Sequence, residues 1–187
     1  EIVTSTVTTI GPEGNLVRPG PENCRKIRLE TPVLNAADFA KLRRNPLFKT
    51  ETLPILFPVE EGDAGLERAM ERLFAEADRA VENGVQLLIL SDRGVNERHA
   101  PIPALLAVSG LHHHLIRNGK RMKVGIALES GEPREVHHFA MLLGYGAEAI
   151  YPYLALESIR ALNEQQMTPG EYEKLEKNYL KAVVKGV

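Results

Sequence analysis

The stretch Leu87–Arg160 constrains the fold most, because it repeats an apolar strand, a polar strand end and a helix-length crossover. The runs LLILSDRG, VGIALESGEPRE and AIYPYLALE follow one another with helical patterns between them. Parallel neighbours need such crossovers, so the spacing predicts a parallel α/β sheet. Sheets of this kind present ligands and partners to the carboxyl ends of their strands. Ser91-Asp92-Arg93-Gly94, Glu129-Ser130-Gly131 and Tyr151-Pro152-Tyr153 fall at those ends. One face is marked before any chemistry is assigned.

The flanking segments extend the pattern. Thr52–Phe57 reads as a first strand closed by Pro58. A helix is expected from about Ala64 to Glu82, with Leu66, Met70, Leu73, Ala77 and Val81 on one stripe and Gly84 ending it. Val85–Leu90 is apolar almost throughout, as for a strand covered on both faces. The next helix is expected to begin near Pro101 and run to Arg117, with Gly119 as its stop. Lys123–Leu128 is the third strand, Ser130 the expected cap of a helix over Pro133–Leu143, and Ala147–Tyr151 the fourth strand. A short helix over Leu154–Leu162 follows. Thr168-Pro169-Gly170-Glu171 then reads as a capping box for a last helix striped by Tyr172, Leu175, Tyr179 and Val183.

Residues 1–50 lack periodicity. Gly11-Pro12-Glu13-Gly14 and Arg18-Pro19-Gly20-Pro21 are turn chemistry, and Asn35 caps a short helix over Ala36–Arg44. The expected organisation is an extended arm with a short helix (1–50), a β/α core (51–162) and a C-terminal helix (163–187). The fold class is α/β, an incomplete or rudimentary (β/α) barrel-like parallel sheet with flanking helices.

Composition narrows the function classes. The 187 residues carry a net charge of −2, and neither a basic cluster nor an aromatic platform favours nucleic acid. No apolar run is long enough to span a bilayer. The one cysteine, Cys24, rules out an internal disulfide and a cysteine-only metal or iron–sulfur site built within these residues. The sequence begins Glu1-Ile2-Val3-Thr4, without an initiator methionine, and is expected to be a segment of a larger chain.

Among chemical groupings, His112-His113-His114 lie mid-helix and fan through about 200°, so they do not converge on one ion. Glu135-x-x-His138 has a carboxylate–histidine metal spacing but no second pair, which favours a solvated helix face. The strand-end groups Ser91, Asp92, Arg93, Glu129, Ser130 and Arg134 are the better candidates. They suit either acid–base work at a barrel mouth or an ion network that closes the barrel end and docks a neighbouring domain. The absence of a Gly-rich phosphate loop and a nucleophile elbow in the sequence favours the network.

Four motifs in one order, SDRG…APIP, ESGEPREVHHFA, LLGYGAEAIYPYLA and YLKAVVKG, closely resemble the central domain of the glutamate synthase large subunit, specifically its carboxyl-terminal part. His99 stands before APIP where that family more often has an arginine. The resemblance implies a relay. An amidotransferase domain hydrolyses glutamine, ammonia passes through a tunnel to an FMN-binding barrel, and there it converts 2-oxoglutarate to glutamate. An iron–sulfur cluster brings electrons from an NAD(P)H-oxidising small subunit or from ferredoxin. The segment itself is implied to be a cofactor-free connector and scaffold, inactive alone, in the cytoplasm or a plastid. The resemblance carries no catalytic, cofactor-binding or metal-binding residue onto this sequence. The rival expectation is a free-standing (β/α) barrel enzyme using Asp92, Arg93 and Glu129.

Overall fold

A computed structural model describes residues 5–163 and 169–187. The chain opens with an antiparallel pair, β1 (Thr8–Ile10) and β2 (Ile27–Leu29), followed by helix α1 (Ala36–Arg43). Strand β3 (Thr50–Pro54) and the short β4 (Leu56–Pro58) precede the long helix α2 (Gly62–Glu82). Then come β5 (Leu87–Ser91), β6 (His99–Pro101), α3 (Ala104–Arg117), β7 (Gly125–Glu129), α4 (Val136–Gly144) and β8 (Ala149–Tyr151). Helices α5 (Tyr153–Asn163) and α6 (Pro169–Gly186) end the chain.

Strands β3, β5, β7 and β8 form one sheet in that order, every neighbouring pair parallel. Because spatial order follows chain order, the crossovers α2, α3 and α4 all lie on one face. Alternation along the strands sends Leu53, Leu88, Leu90, Ile126, Leu128 and Ile150 into the core beneath those helices. Leu87, Ile89, Ala127, Ala149 and Tyr151 face the other way, where Ile10, Leu34, Phe39, Leu42 and Phe48 cover them. Residues 10–48, with Leu156, therefore supply the second layer of the core. At the β8 edge, Leu34 N–H donates to Ile150 O (2.8 Å) and Ile150 N–H to Pro32 O (2.7 Å), so residues 32–34 extend the sheet in parallel. From there α1 returns across the second face to β3. A return in the opposite direction on the opposite face keeps the right-handed crossover. Among the described residues the sheet does not close into a barrel. It is the open, rudimentary barrel-like α/β arrangement.

Several boundaries differ from the sequence reading, each for a physical reason. The first strand is two. Pro54 ends β3, and β4 turns away to pair antiparallel with β6, Phe57 opposite Ala100. Pro101 sits in β6, not in a helix, and α3 starts at Ala104. The Ala104 N–H donates to Glu132 Oε2 at 3.0 Å, so a residue from a distant loop satisfies this helix end. Ser130 does not cap α4. The His138 ring does so, its Nδ1 accepting the Glu135 N–H at 3.3 Å while the His138 N–H donates to the Glu135 C=O at 3.0 Å, which engages the histidine of the pair with metal-like spacing. Thr168 of the expected last capping box lies outside the described residues. The α6 stripe packs within the chain, Val183 buried and Tyr179 donating to Arg134 O at 2.9 Å.

The α2–α3 contact contains a titratable cluster. Phe74 stacks on His114 at 4.6 Å, and Asp78 accepts from His114 Nε2 (3.0 Å) while pairing with Lys120 Nζ (2.9 Å). Burial pushes the Asp78 pKa up, but hydrogen bonds and charge from Lys120 and His114 outweigh it and lower the pKa below 3.8. A carboxylate lowered in the fold contributes stability above its unfolded pKa and loses it as pH falls through the folded value. Wild type is therefore expected to lose more unfolding free energy than Asp78→Asn as pH falls below 3.8. Parallel acid limbs in urea titrations of the two proteins would contradict this.

Candidate functional site

Register builds the carboxyl end of the sheet. Pro54, Ser91, Glu129 and Tyr151 are paired partners across β3, β5, β7 and β8, so they form one layer on the second face. Glu129, only 4% exposed, accepts from Ser91 Oγ (2.7 Å), from Arg43 Nη2 (2.5 Å) and from Arg93 Nε (3.4 Å). The Ser91 Oγ in turn accepts the Arg93 N–H at 3.2 Å, which orients the hydroxyl toward the carboxylate. Arg93 continues outward, donating to Glu157 Oε1 at 2.9 Å with its guanidinium 3.7 Å from the Tyr153 ring centroid. Burial works against its charge, but the Glu157 hydrogen bond and charge, with Glu129 and Tyr151 adding, raise its pKa.

Asp92 begins the loop after β5 and is 2% exposed. Its Oδ2 accepts from Ser130 Oγ (2.6 Å) and from the Gly131 N–H (3.0 Å). Burial, then the neighbouring Asp92 carboxylate, raises the pKa of Tyr153. Ser130 Oγ accepts the Glu132 N–H at 3.1 Å, bracing the loop that reaches the α3 terminus. Two carboxylates thus tie the ends of β5, β7 and β8 together.

Of the sequence-derived candidates, Ser91, Asp92, Arg93, Glu129 and Ser130 meet here. Arg134 does not: it is exposed, and its backbone groups serve His138 Nδ1 (3.1 Å) and the Tyr179 hydroxyl. Tyr153, which the sequence already places at a strand end, joins them, and two participants were missed. Glu157 stands one helical turn beyond Tyr153 on α5, a spacing that could have linked it to the strand end. Arg43 comes from α1, eighty-six residues before Glu129, and no local pattern announces it. Its nearest sequence clue is Phe39 one turn earlier, whose ring lies 5.1 Å from the guanidinium.

Arg43, Thr52, Pro54, Ser91, Arg93 and Glu129 line an open cleft of about 540 Å³. The one carboxylate lining it, Glu129, is already held by Ser91, Arg43 and Arg93, so the cleft offers no free base. Elsewhere, His112 Nδ1 accepts from Arg121 Nε at 3.0 Å, and burial, then Arg121 and His113, lower its pKa. Among the described residues, no three His, Cys, Asp or Glu side chains group as metal ligands.

A sheet of successive βα units, with its ligand-side end bound up in ion pairs and its second face covered by an N-terminal arm, defines a barrel-related α/β module. The chain belongs to the glutamate synthase central domain family, whose profile matches residues 1–187. It is 47% identical to the glutamate synthase [NADPH] large chain of Bacillus subtilis (strain 168), with all of this chain and 12% of that protein covered. It is 41% identical to the glutamate synthase [NADH] of Schizosaccharomyces pombe, covering all of this chain and 9% of the relative. The chloroplastic ferredoxin-dependent glutamate synthase of Spinacia oleracea is 41% identical, again over the whole chain and 12% of its own length. The chain thus spans about a tenth of the length of these relatives.

Proposed function

We propose that this chain is one part of a glutamate synthase, an oxidoreductase that turns glutamine, 2-oxoglutarate and a reductant into two glutamates. Within it, residues 1–187 act as a connector and scaffold between the amidotransferase domain and the FMN-binding synthase domain. What carries the reading is the strand-carboxyl end, where Glu129 and Asp92 are bound by the chain's own donors. A rigid end of this kind keeps two active sites at a fixed separation. FMN and the iron–sulfur cluster belong to other parts of the enzyme. Cys24 is exposed and alone, so these residues do not fit a thiolate-held cluster. The reductant partner is an NAD(P)H-oxidising small subunit or ferredoxin, in line with the three kinds of relative. The location is the cytoplasm, or a plastid as the spinach relative's name states. No helix among the described residues is long and apolar enough to cross a membrane.

The test is Arg93→Ala in the complete enzyme. Glutaminase and synthase half-reactions should persist, while glutamate formed per glutamine hydrolysed falls. Loss of one half-reaction with folding unchanged would overturn the connector role and make Arg93 a catalytic group, as in the free-standing enzyme.

A further inference from the structure

The two edges of the parallel sheet are treated differently. Beyond β8, residues 32–34 pair with Ile150, and the Val33 N–H is taken by Thr31 Oγ1 at 3.2 Å, so that edge is finished. Beyond β3 no strand pairs among the described residues. In a parallel ladder a residue's N–H and C=O point to the same neighbour, and the direction alternates along the strand. Lys49 O accepts the Leu87 N–H and Ile55 N–H donates to Ser91 O, so the odd-numbered residues 49–55 face β5. Thr50, Thr52 and Pro54 therefore point their backbone groups outward. Thr52 is exposed, and no hydrogen bond to its backbone N–H or C=O occurs among the described residues. Pro54, which has no N–H, sits where an edge strand tolerates it.

We propose that the outer edge of β3 receives one further parallel strand, supplied by polypeptide outside residues 1–187 of the same large chain. This rests on the proposed reading of the chain as a segment of glutamate synthase. A bare strand edge, with its row of unpaired N–H and C=O groups, is a pairing template. The relatives are about ten times longer than this chain, so the supply of polypeptide is ample. The backbone of the incoming strand bonds to Thr50 and to Thr52, and pairing stops at Pro54. It also becomes the next wall of the cleft that Thr52 and Pro54 line with Arg43 and Glu129. The strand thus extends the open sheet by one step toward a barrel.

Backbone exchange resolves this directly. Amide hydrogen exchange, read residue by residue by mass spectrometry, is compared in the 187-residue chain and in the complete enzyme. Glu51 and Leu53, which face β5, are the internal controls and exchange slowly in both. Thr50 and Thr52 are expected to exchange rapidly in the short chain and on the order of 100-fold more slowly in the complete enzyme. Fast exchange at both threonines in the complete enzyme overturns the proposal. Slow exchange in the short chain that strengthens with concentration overturns it in favour of a second copy on the edge. A natural reading frame closing near residues 1 and 187 defeats the glutamate synthase reading itself. A long frame with fast edge amides defeats only the added strand.

Discussion

Replacing Asp92 with alanine is expected to lower the unfolding free energy by about 3 kcal/mol. The carboxylate is 2% exposed and Ser130 is fully buried, so the Ser130 hydroxyl has no water to turn to. Its loss strands the Ser130 hydroxyl and the Gly131 N–H, both directed at one deleted group. Each buried donor left unsatisfied costs about 1–3 kcal/mol, and local relaxation keeps the total below the sum. Asp92→Asn keeps one acceptor oxygen but turns an amide N–H₂ toward donors, and is expected to fall between wild type and alanine. Urea unfolding at constant m-value reads both. A loss under about 0.5 kcal/mol for the alanine variant would mean that the end of β5 is not held in this way.

Gly11→Ala is expected to be comparably severe, about 3 kcal/mol, through backbone and packing together. Gly11 has φ +131°, a conformation that side chains with a Cβ resist. A Cβ there would also lie 2.5 and 2.7 Å from two carbons of the Phe48 ring, which is itself buried. The residue is fixed on both sides of its peptide: its N–H donates to Glu148 Oε2 (3.4 Å) and its C=O accepts from Lys26 Nζ (3.1 Å). The alanine variant cannot settle without lifting this junction of the arm from the sheet. Limited proteolysis should then cut within residues 5–49 faster than in wild type, with the urea midpoint lowered. A variant with an unchanged midpoint and an unchanged cleavage rate would refute the assignment.

The difference between what sequence and structure disclosed lies in the range of the interactions. The strands Leu87–Ser91 and Gly125–Glu129, buried at every position, and the stripe of α2 were readable because a parallel strand covered on both faces is a short continuous apolar run and a helix repeats its burial every three to four residues. The end of α2 was readable from Gly84, whose φ of +79° suits glycine. Two boundaries, the starts of α3 and α4, were less legible because distant partners moved them. Pro101 looked like a helix start but pairs in β6, and Ser130 looked like a cap but serves Asp92. Glu132, which satisfies the start of α3, follows that start by twenty-eight residues. The candidate site was half legible: strand-end polar residues name themselves by position, whereas Arg43 reaches Glu129 only because α1 crosses the second face.

By itself the sequence determined the succession of βα units, the parallel sheet, the polar character of its carboxyl end and the family. All follow from periodicity and motif order, which are properties of neighbouring residues. Tertiary structure alone decided that residues 10–48 join the second layer of the core, and that Arg43 rather than Arg134 joins Glu129. It also decided that one sheet edge is finished by residues 32–34 while the other pairs with no strand among the described residues. These depend on register and on the path of α1 between opposite edges, and no local pattern encodes which distant backbone a segment will meet.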